Sequence, residues 1–391
     1  MACIVQKFGG TSVATLERIR NVSNIIARSY KKGQNVVAVV SAMAGVTNKF
    51  IGYIRNLNAD EGDPEYDQTV SSGELVTAGL LAISLKNCGL KARSYSSWQV
   101  PIITDSNYGN AVIQKIDSSN LKKDLADGII PVICGFQGVS PEQRVTTLGR
   151  GGSDLTAVAV ATSMDAYLCE IYSDVDGVYT VDPNLYAEAK RIDEISYREM
   201  LEMASHGAKI LQEQSVNYAM QKGVTIRVAS SFVDGSGTII SGKTSSKGFR
   251  GLAVTPSLSQ IKVLHNENLS GLINILEERL IKTEIISQEG SSRVDILLDK
   301  KKTAFALNIL KNCDFVRSAR QTVVRKPSSQ ISVIGSSISS ETGKFLVKIL
   351  ENKKIEVFKF SVADYKVNLI VASDKLTEAI ESLHKYCGLE K

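Results

Sequence analysis

Lys7, Gly9 and Gly10 stand in the run KFGGTSV, directly after the apolar stretch ACIVQ. A cation beside two residues without side chains offers a phosphoryl group what it needs, positive charge and amides that can be approached closely. The lysine precedes the glycines and the chain has no G-x-x-x-x-G-K-[ST], so this is not a Walker loop. Taken alone, a Gly-Gly pair also serves as ordinary strand-to-helix turn chemistry. The following helix is expected to begin at Thr11 or Ser12.

Other small-residue loops give the pair its weight. SAMAGVTN, GFQGV, TTLGRGGSD and SDVDGVYTVDPN follow apolar runs or open helices, and in open parallel sheets ligands bind outside the carboxyl ends of strands. Within residues 147–154, three glycines surround Arg150, and Ser153 and Asp154 are candidate caps for the next helix. An anion there would meet amides and a guanidinium together. Asp174, Asp176 and Asp182 lack calcium-loop spacing, which favours magnesium carried by a nucleotide over calcium; the plain alternative is an acidic turn. Glu74 in SSGELVTAG heads a helix, where a carboxylate also suits the helix dipole for structural reasons alone. His206 in ASHGAKIL reads as a cap or packing residue.

These loops must be positioned by a sheet. ACIVQ, VVAVVS, ARSYS, GIIPVICGF, YLCEIYSD and VTIRVASS read as strands, alternating with helix-period segments such as VATLERIRNVSNIIARSY, ELVTAGLLAISLKN and SDLTAVAVATSM. SYREMLEMASHGAKILQEQSVNYAMQ reads as a further crossover segment of helical period. The pattern predicts a parallel α/β domain over residues 1–245. VDGSGTIISGKTSSKGFRG, rich in Gly, Ser and Lys, reads as a boundary or linker. Beyond it, IKVL, LSGLINILEERL, IKTEIIS, RVDILLD and TAFALNILKN are echoed by ISVIG, TGKFLVKILENK, IEVFKFS, KVNLIVA and LTEAIESLHKY. Residues 246–391 are therefore expected to hold two α+β modules, about 261–325 and 326–391, with interleaving between them open.

With 391 residues, 43% hydrophobic and 22% charged, the chain has the composition of a globular protein of two or three domains. No apolar run approaches membrane-span length, and the start shows no basic segment followed by a signal-like apolar region, which points to the cytoplasm. The basic excess lies in residues 246–391 without a dense Lys/Arg run interleaved with aromatics, so neither a nucleic acid nor a membrane partner is expected. Six scattered cysteines without a C-x-x-C read as reduced, buried thiols, and three distant histidines leave little material for a metal centre; no protein-built metal site is expected.

Together KFGGTSV, SAMAGVTN, SSGELVTAG, GFQGV, TTLGRGGSD, YSDVDGVYTVDP and HGAKIL, in this order and followed by the two repeats, resemble the aspartokinases over nearly the whole chain. The resemblance implies a three-layer αβα kinase domain with a mainly parallel sheet, then two βαββαβ ACT modules. It implies transfer of the γ-phosphoryl of ATP, with Mg2+, to the β-carboxylate of L-aspartate. The product is 4-phospho-L-aspartate, the first intermediate toward diaminopimelate, lysine, threonine and methionine. Lys7, Gly9, Gly10 and Asp154 form the implied catalytic set. Ser41, Thr47, Glu74, Arg150 and Ser153 contact aspartate, Glu74 through its α-ammonium and Arg150 through its α-carboxylate. Lys7, Gly9, Gly10, Thr11, Ser173, Asp174, Tyr179, Asp182, Lys209 and Ile210 line the nucleotide. An amino-acid effector, lysine or threonine or both, is implied at the ACT modules of a homodimer or homotetramer.

The chain departs from the family pattern at Asn184, where arginine is usual, and in the ACT segments HNENLSG, SQEGSS, IGSSISS and SVADYKV. The first puts ATP affinity in question, the others effector identity. The competing readings are another amino-acid kinase, glutamate 5-kinase-like or uridylate kinase-like, and a regulatory sensor without turnover. The tandem repeats and Glu74 argue against the first, and retention of Lys7, Glu74, Arg150, Asp174 and Lys209 against the second.

Overall fold

The computed structural model describes residues 3–58, 62–208, 210–243, 248–265, 269–279, 281, 283–289, 292–314, 316–322 and 327–390. They form two compact units. The first is Met1–Val178, Ile192–Tyr197 and Ile210–Thr244; the second is Tyr179–Arg191, Arg198–Lys209 and Ser245–Lys391.

The first unit is built on an eight-stranded sheet in the order Glu194–Ser196, Thr238–Ser241, Ile226–Ser230, Leu168–Ser173, Cys3–Phe8, Asn35–Val40, Ile129–Cys134, Lys91–Tyr95. Every neighbouring pair is parallel except Ile226–Ser230 with Thr238–Ser241. Among its helices are α1 (Leu16–Lys31), α2 (Val46–Asn56), α3 (Pro64–Val70), α4 (Ser72–Asn87), α5 (Ser119–Ala126) and α6 (Gly152–Ser163). A parallel sheet needs apolar cover on both faces. Ile19, Val22 and Ile26 of α1 and Leu81 and Leu85 of α4 supply it on one face, in a core with Ile4, Phe8, Val36 and Val40. Strand alternation turns Lys7 away from Phe8 to the other face, where α6 packs on the strand Cys3–Phe8. The almost wholly buried, apolar-all-round α6 suits a helix sandwiched between this sheet and another helix, Glu213–Lys222.

Several expectations from the sequence change. The helix after the glycine pair begins at Leu16, not at Thr11 or Ser12, because Thr15 is its cap, Oγ1 accepting the Arg18 amide at 3.2 Å. Residues 9–13 are turns, with Ser12 and Val13 amides donating to the Gly9 and Gly10 carbonyls at 2.9 and 3.3 Å. The helical run after residue 196 divides into α7 (Tyr197–Ser205) and α8 (Glu213–Lys222). Gly207, at φ +121°, ends α7 while Ala208 N–H returns to Met203 O at 3.0 Å. The stretch read as linker contributes the strands Thr238–Ser241 and Gly248–Thr255. Of the cysteines, Cys134 and Cys169 are buried but Cys88 is exposed; all six are free.

The second unit holds two four-stranded α+β modules. In one, Leu258–His265, Thr283–Glu289, Arg293–Asp299 and Val316–Thr322 carry α9 (Leu269–Glu278) and α10 (Thr303–Lys311). In the other, Ser328–Ser336, Val357–Ala363 and Lys366–Ala372 carry α11 (Ser340–Asn352) and α12 (Leu376–Tyr386), and the edge strand is Gly248–Thr255, from before the first module. Gly248–Thr255 pairs antiparallel with Ser328–Ser336 as Val316–Thr322 pairs with Leu258–His265. The fold is thus a mainly parallel αβα domain followed by two ACT-like modules.

Candidate active site

The strand Cys3–Phe8 delivers Lys7 and the glycine pair to the carboxyl edge of the sheet. Neighbouring strand ends fix the turn: Gly9 N–H donates to Tyr172 O at 3.1 Å, Ser41 N–H to Phe8 O at 3.1 Å and Ala44 N–H to Gly10 O at 3.2 Å. A methyl group on Gly10 would lie 3.0 Å from Ala42 O, and one on Gly9 would lie 3.5 Å from both Lys7 Nζ and Tyr172 O. Gly10 therefore serves close approach, while Gly9 lies beside the ammonium itself. Lys7 Nζ sits 2.5 Å from Asp154 Oδ1 in an ion pair largely withdrawn from water.

Asp154 lies in the first turn of α6, but neither it nor Ser153 caps the helix. The cap is Gly151, at φ +74°, with no side-chain cap bond. The preceding loop turns at Gly149, φ +72°, and leaves Arg150 exposed, without an ion pair to any described residue. Gly135, whose N–H donates to Val40 O at 2.9 Å, comes so close that an added methyl would lie 2.7 Å from Ser153 Cβ and 2.8 Å from its Oγ. Three strand-end loops therefore meet at the head of α6.

Glu74 enters from α4. Its residue is 3% exposed, Oε1 accepts the Ala42 amide at 3.0 Å, and Oε2 is buried without a hydrogen-bond partner. Burial raises the carboxyl pKa from 4.5 to about 7, with the Ala42 amide acting in the opposite direction. A methyl on Gly73 would lie 2.7 Å from Ala42 Cβ and 3.1 Å from Val46 Cγ1, so the head of α4 is pressed onto the loop before α2. That loop carries half-buried Ser41, and Thr47 falls in the first turn of α2.

Lys7, Gly9, Gly10, Ser41, Glu74, Ser153 and Asp154 are thus linked by contacts within one unit, with Thr47 and Arg150 on the same loops. Ser173 and Asp174 end a neighbouring strand; Ser173 Oγ is engaged with Val175 N and O at 3.3 Å, and Asp174 is exposed. Thr11 is exposed and Ile210 half-buried. Tyr179 and Asp182 belong to the second unit, where Asp182 Oδ1 accepts from the Asn184 amide and side chain at 2.9 and 3.0 Å. Lys209 lies outside the described residues. His206 is buried in the second unit, its Nδ1 2.9 Å from Glu202 O, as a packing residue would be. Sequence reasoning did not single out Asp67, Gly73 or Gly135, because their importance lies in what they touch across the chain.

A mainly parallel sheet whose lysine and glycine loops gather at its carboxyl edge defines an amino acid kinase, and the pattern of the amino acid kinase family matches residues 2–230. The chain is 35% identical to the aspartokinase of Bacillus sp. (strain MGA3), over 98% of its own length and 97% of that protein. It shares the fold of E. coli aspartokinase III in complex with aspartate and ADP, the R-state, with TM-score 0.79 and 24% identity over 98% and 99% of the two chains. The same enzyme with lysine and aspartate, its T-state, aligns with TM-score 0.74 and 25% identity over 98% and 99%. Within the amino acid kinases, the chain belongs to the aspartokinases. It is an ATP-dependent kinase, and among its described residues no helix is long and apolar enough to cross a membrane.

Proposed function

We propose that the chain phosphorylates the β-carboxylate of L-aspartate from MgATP, releasing ADP and 4-phospho-L-aspartate, a first step toward diaminopimelate and lysine, threonine and methionine, in the cytoplasm. The observation that carries this reading is Glu74: a buried carboxylate with one oxygen left unpartnered fits an incoming α-ammonium, which no nucleotide acceptor offers. Arg150, exposed on a glycine-hinged loop, suits the α-carboxylate, with Ser41, Thr47 and Ser153 around them.

The nucleophile needs no general base, because an aspartate side chain with a reference pKa of about 3.9 is already ionised. Its oxygen attacks the γ-phosphorus as the bond to the bridging oxygen of ADP breaks, and no proton moves. Catalysis is then charge neutralisation and alignment of two anions. Lys7, held by Asp154, neutralises the transferring group, and the Gly10 amide, without a hydrogen bond among the described residues, can donate to it. Gly9, whose N–H is engaged by Tyr172 O, contributes space. Ser173, Asp174, Tyr179, Asp182, Lys209, Ile210 and Thr11 are assigned to the nucleotide by family resemblance.

Magnesium carried on the nucleotide phosphates is the proposed ion, with Asp174, exposed just beyond the strand Leu168–Ser173, as the carboxylate in reach of it. Bound there, the ion would supply charge neutralisation at the phosphate oxygens. Lysine or threonine, or both, is the proposed effector of the ACT-like modules, in a homodimer or homotetramer. The segment IGSSISS places Ser337 at φ +62° ahead of the Ser339 cap of α11, while HNENLSG and SQEGSS lie partly outside the described residues.

The test is coupled ADP release with MgATP and L-aspartate, set against L-glutamate and UMP, with and without lysine and threonine. Aspartate-dependent release supports the reading; release with glutamate or UMP alone overturns it.

A further inference from the structure

The structure assigns to Asp67 the role of a positioning residue that sets the spacing between Glu74 and Arg150; we propose that it thereby governs affinity and selectivity for the amino-acid substrate, an inference that rests on the function proposed above.

Asp67 lies in α3, a short helix capped by Asp63, whose side chain accepts the Glu65 amide, and opened by Pro64. The residue is wholly buried, and its carboxylate gathers donors from two distant segments, the turn at Gly109 and the end of the strand Val145–Thr147. Gly109 N–H lies 3.0 and 2.9 Å from Oδ1 and Oδ2, Thr147 N–H donates to Oδ2 at 2.7 Å, and the Thr147 hydroxyl donates to Oδ1 at 2.7 Å. Hydrogen bonds to a charged acceptor in a buried setting are among the stronger ones, and removing the acceptor leaves its donors unsatisfied.

The consequence comes from what each segment leads to. Thr147 is three residues before Arg150, and its carbonyl accepts the Ala111 amide at 2.8 Å. Asn110, beside Gly109, has Oδ1 2.5 Å from where a methyl on Gly149 would lie, so the Gly109 segment also braces the Arg150 loop. In the other direction α3 runs directly into α4. Ser71 N–H donates to Asp67 O at 3.2 Å, and Ser71 O accepts Gln137 Nε2 at 3.1 Å, three residues before Glu74. One carboxylate therefore connects the backbone that carries the proposed ammonium partner to the backbone that carries the proposed carboxylate partner. The two substrate charges are borne on the same carbon, so their partners must keep a fixed separation.

The experiment compares Asp67→Asn, Thr147→Val and Thr147→Ser with the unaltered full-length protein, measuring kcat and both KM values and the aspartate-to-glutamate ratio of kcat/KM. Asp67→Asn replaces an acceptor with an NH2 group facing N–H donors, and the expected result is KM for aspartate raised about tenfold or more, with KM for ATP within about twofold. Thr147→Val, which keeps side-chain shape and all the Gly109 contacts, is expected to raise KM for aspartate about three- to tenfold, and Thr147→Ser to restore it. Selectivity over glutamate falls in parallel. Should Asp67→Asn fail to fold, the Thr147 pair decides. Unchanged KM for aspartate, or equal rises in both KM values, overturns the inference while leaving the function standing. Absence of aspartate-dependent turnover in the unaltered protein overturns the function itself, and the inference with it.

Discussion

Lys7 Nζ and Asp154 Oδ1 are 2.5 Å apart, joining the end of one central strand to the first turn of α6 across the face of the sheet. The pair holds a long, flexible cation beside Gly9, where charge on a transferring phosphoryl group would develop. Preorganisation of this kind is worth most where water is scarce.

Replacing Lys7 by alanine is expected to lower kcat by about a thousandfold or more while the fold persists. Asp154→Asn keeps the cation but releases it, with an expected loss of about tenfold to a hundredfold. Steady-state ADP release, with circular dichroism to check folding, measures both; near-normal turnover in Lys7→Ala would remove the residue from the mechanism.

Glu74 gives a pH signature. Its carboxyl titrates near 7 through burial, so below that pH the free enzyme loses the negative charge offered to the ammonium. The value of kcat/KM for aspartate should fall toward tenfold per pH unit below about 7, and Glu74→Gln should give a low, flat profile across that range. Stability moves oppositely. A carboxyl pKa raised from 4.5 to about 7 favours the fold fully below about 4.5, and that contribution, on the order of 3 kcal/mol, is lost as pH rises through about 7. Glu74→Gln should therefore melt higher than the unaltered protein at pH 8 without aspartate. A lower melting temperature there would contradict the assigned cause of the shift.

Gly135 is predicted to be intolerant of even a methyl group. The added carbon would lie 2.7 Å from Ser153 Cβ, so Gly135→Ala must displace the head of α6. The expected cost is about 1–3 kcal/mol of stability, with KM for aspartate raised. Thermal denaturation together with aspartate titration tests this; unaltered values in both would mean that the close approach has no functional role.

Asn184 folds its side chain back on Asp182 Oδ1 at 3.0 Å, where the family pattern has arginine. Asn184→Arg is expected to lower KM for ATP about three- to tenfold, by freeing a carboxylate and adding a cation for phosphate, with KM for aspartate unchanged. An unchanged KM for ATP would show that this position does not face the nucleotide.

Six of the eight strands of the large sheet were legible because buried parallel strands are short apolar runs, while Glu194–Ser196 and Thr238–Ser241 were not. Lys7 and Arg150 stood out because a cation beside glycines suits an anion, whereas Glu74 at the head of a helix had an equally good structural reading and its role came from the family resemblance. Local chemistry misled where competing signals were equally good. Thr11 and Ser12 are as fit to start a helix as Thr15, which wins because residues 9–13 are held in turns by strand-end contacts. Ser153 and Asp154 look like caps, yet Gly151 takes that place and Asp154 turns to Lys7. The strands Thr238–Ser241 and Gly248–Thr255 were hidden by Gly and Ser, and only pairing with remote partners orders them. Asp67 left no local signal, since its donors lie 42 and 80 residues further along the chain.

The most direct test of the account is to run the MgATP and L-aspartate reaction in hydroxylamine, which converts an acyl phosphate to a hydroxamate and leaves a phosphate ester intact. Aspartate-dependent hydroxamate should form in step with ADP and fall sharply in Lys7→Ala and Glu74→Gln. ADP released without hydroxamate, or hydroxamate formed equally well from glutamate, would contradict it.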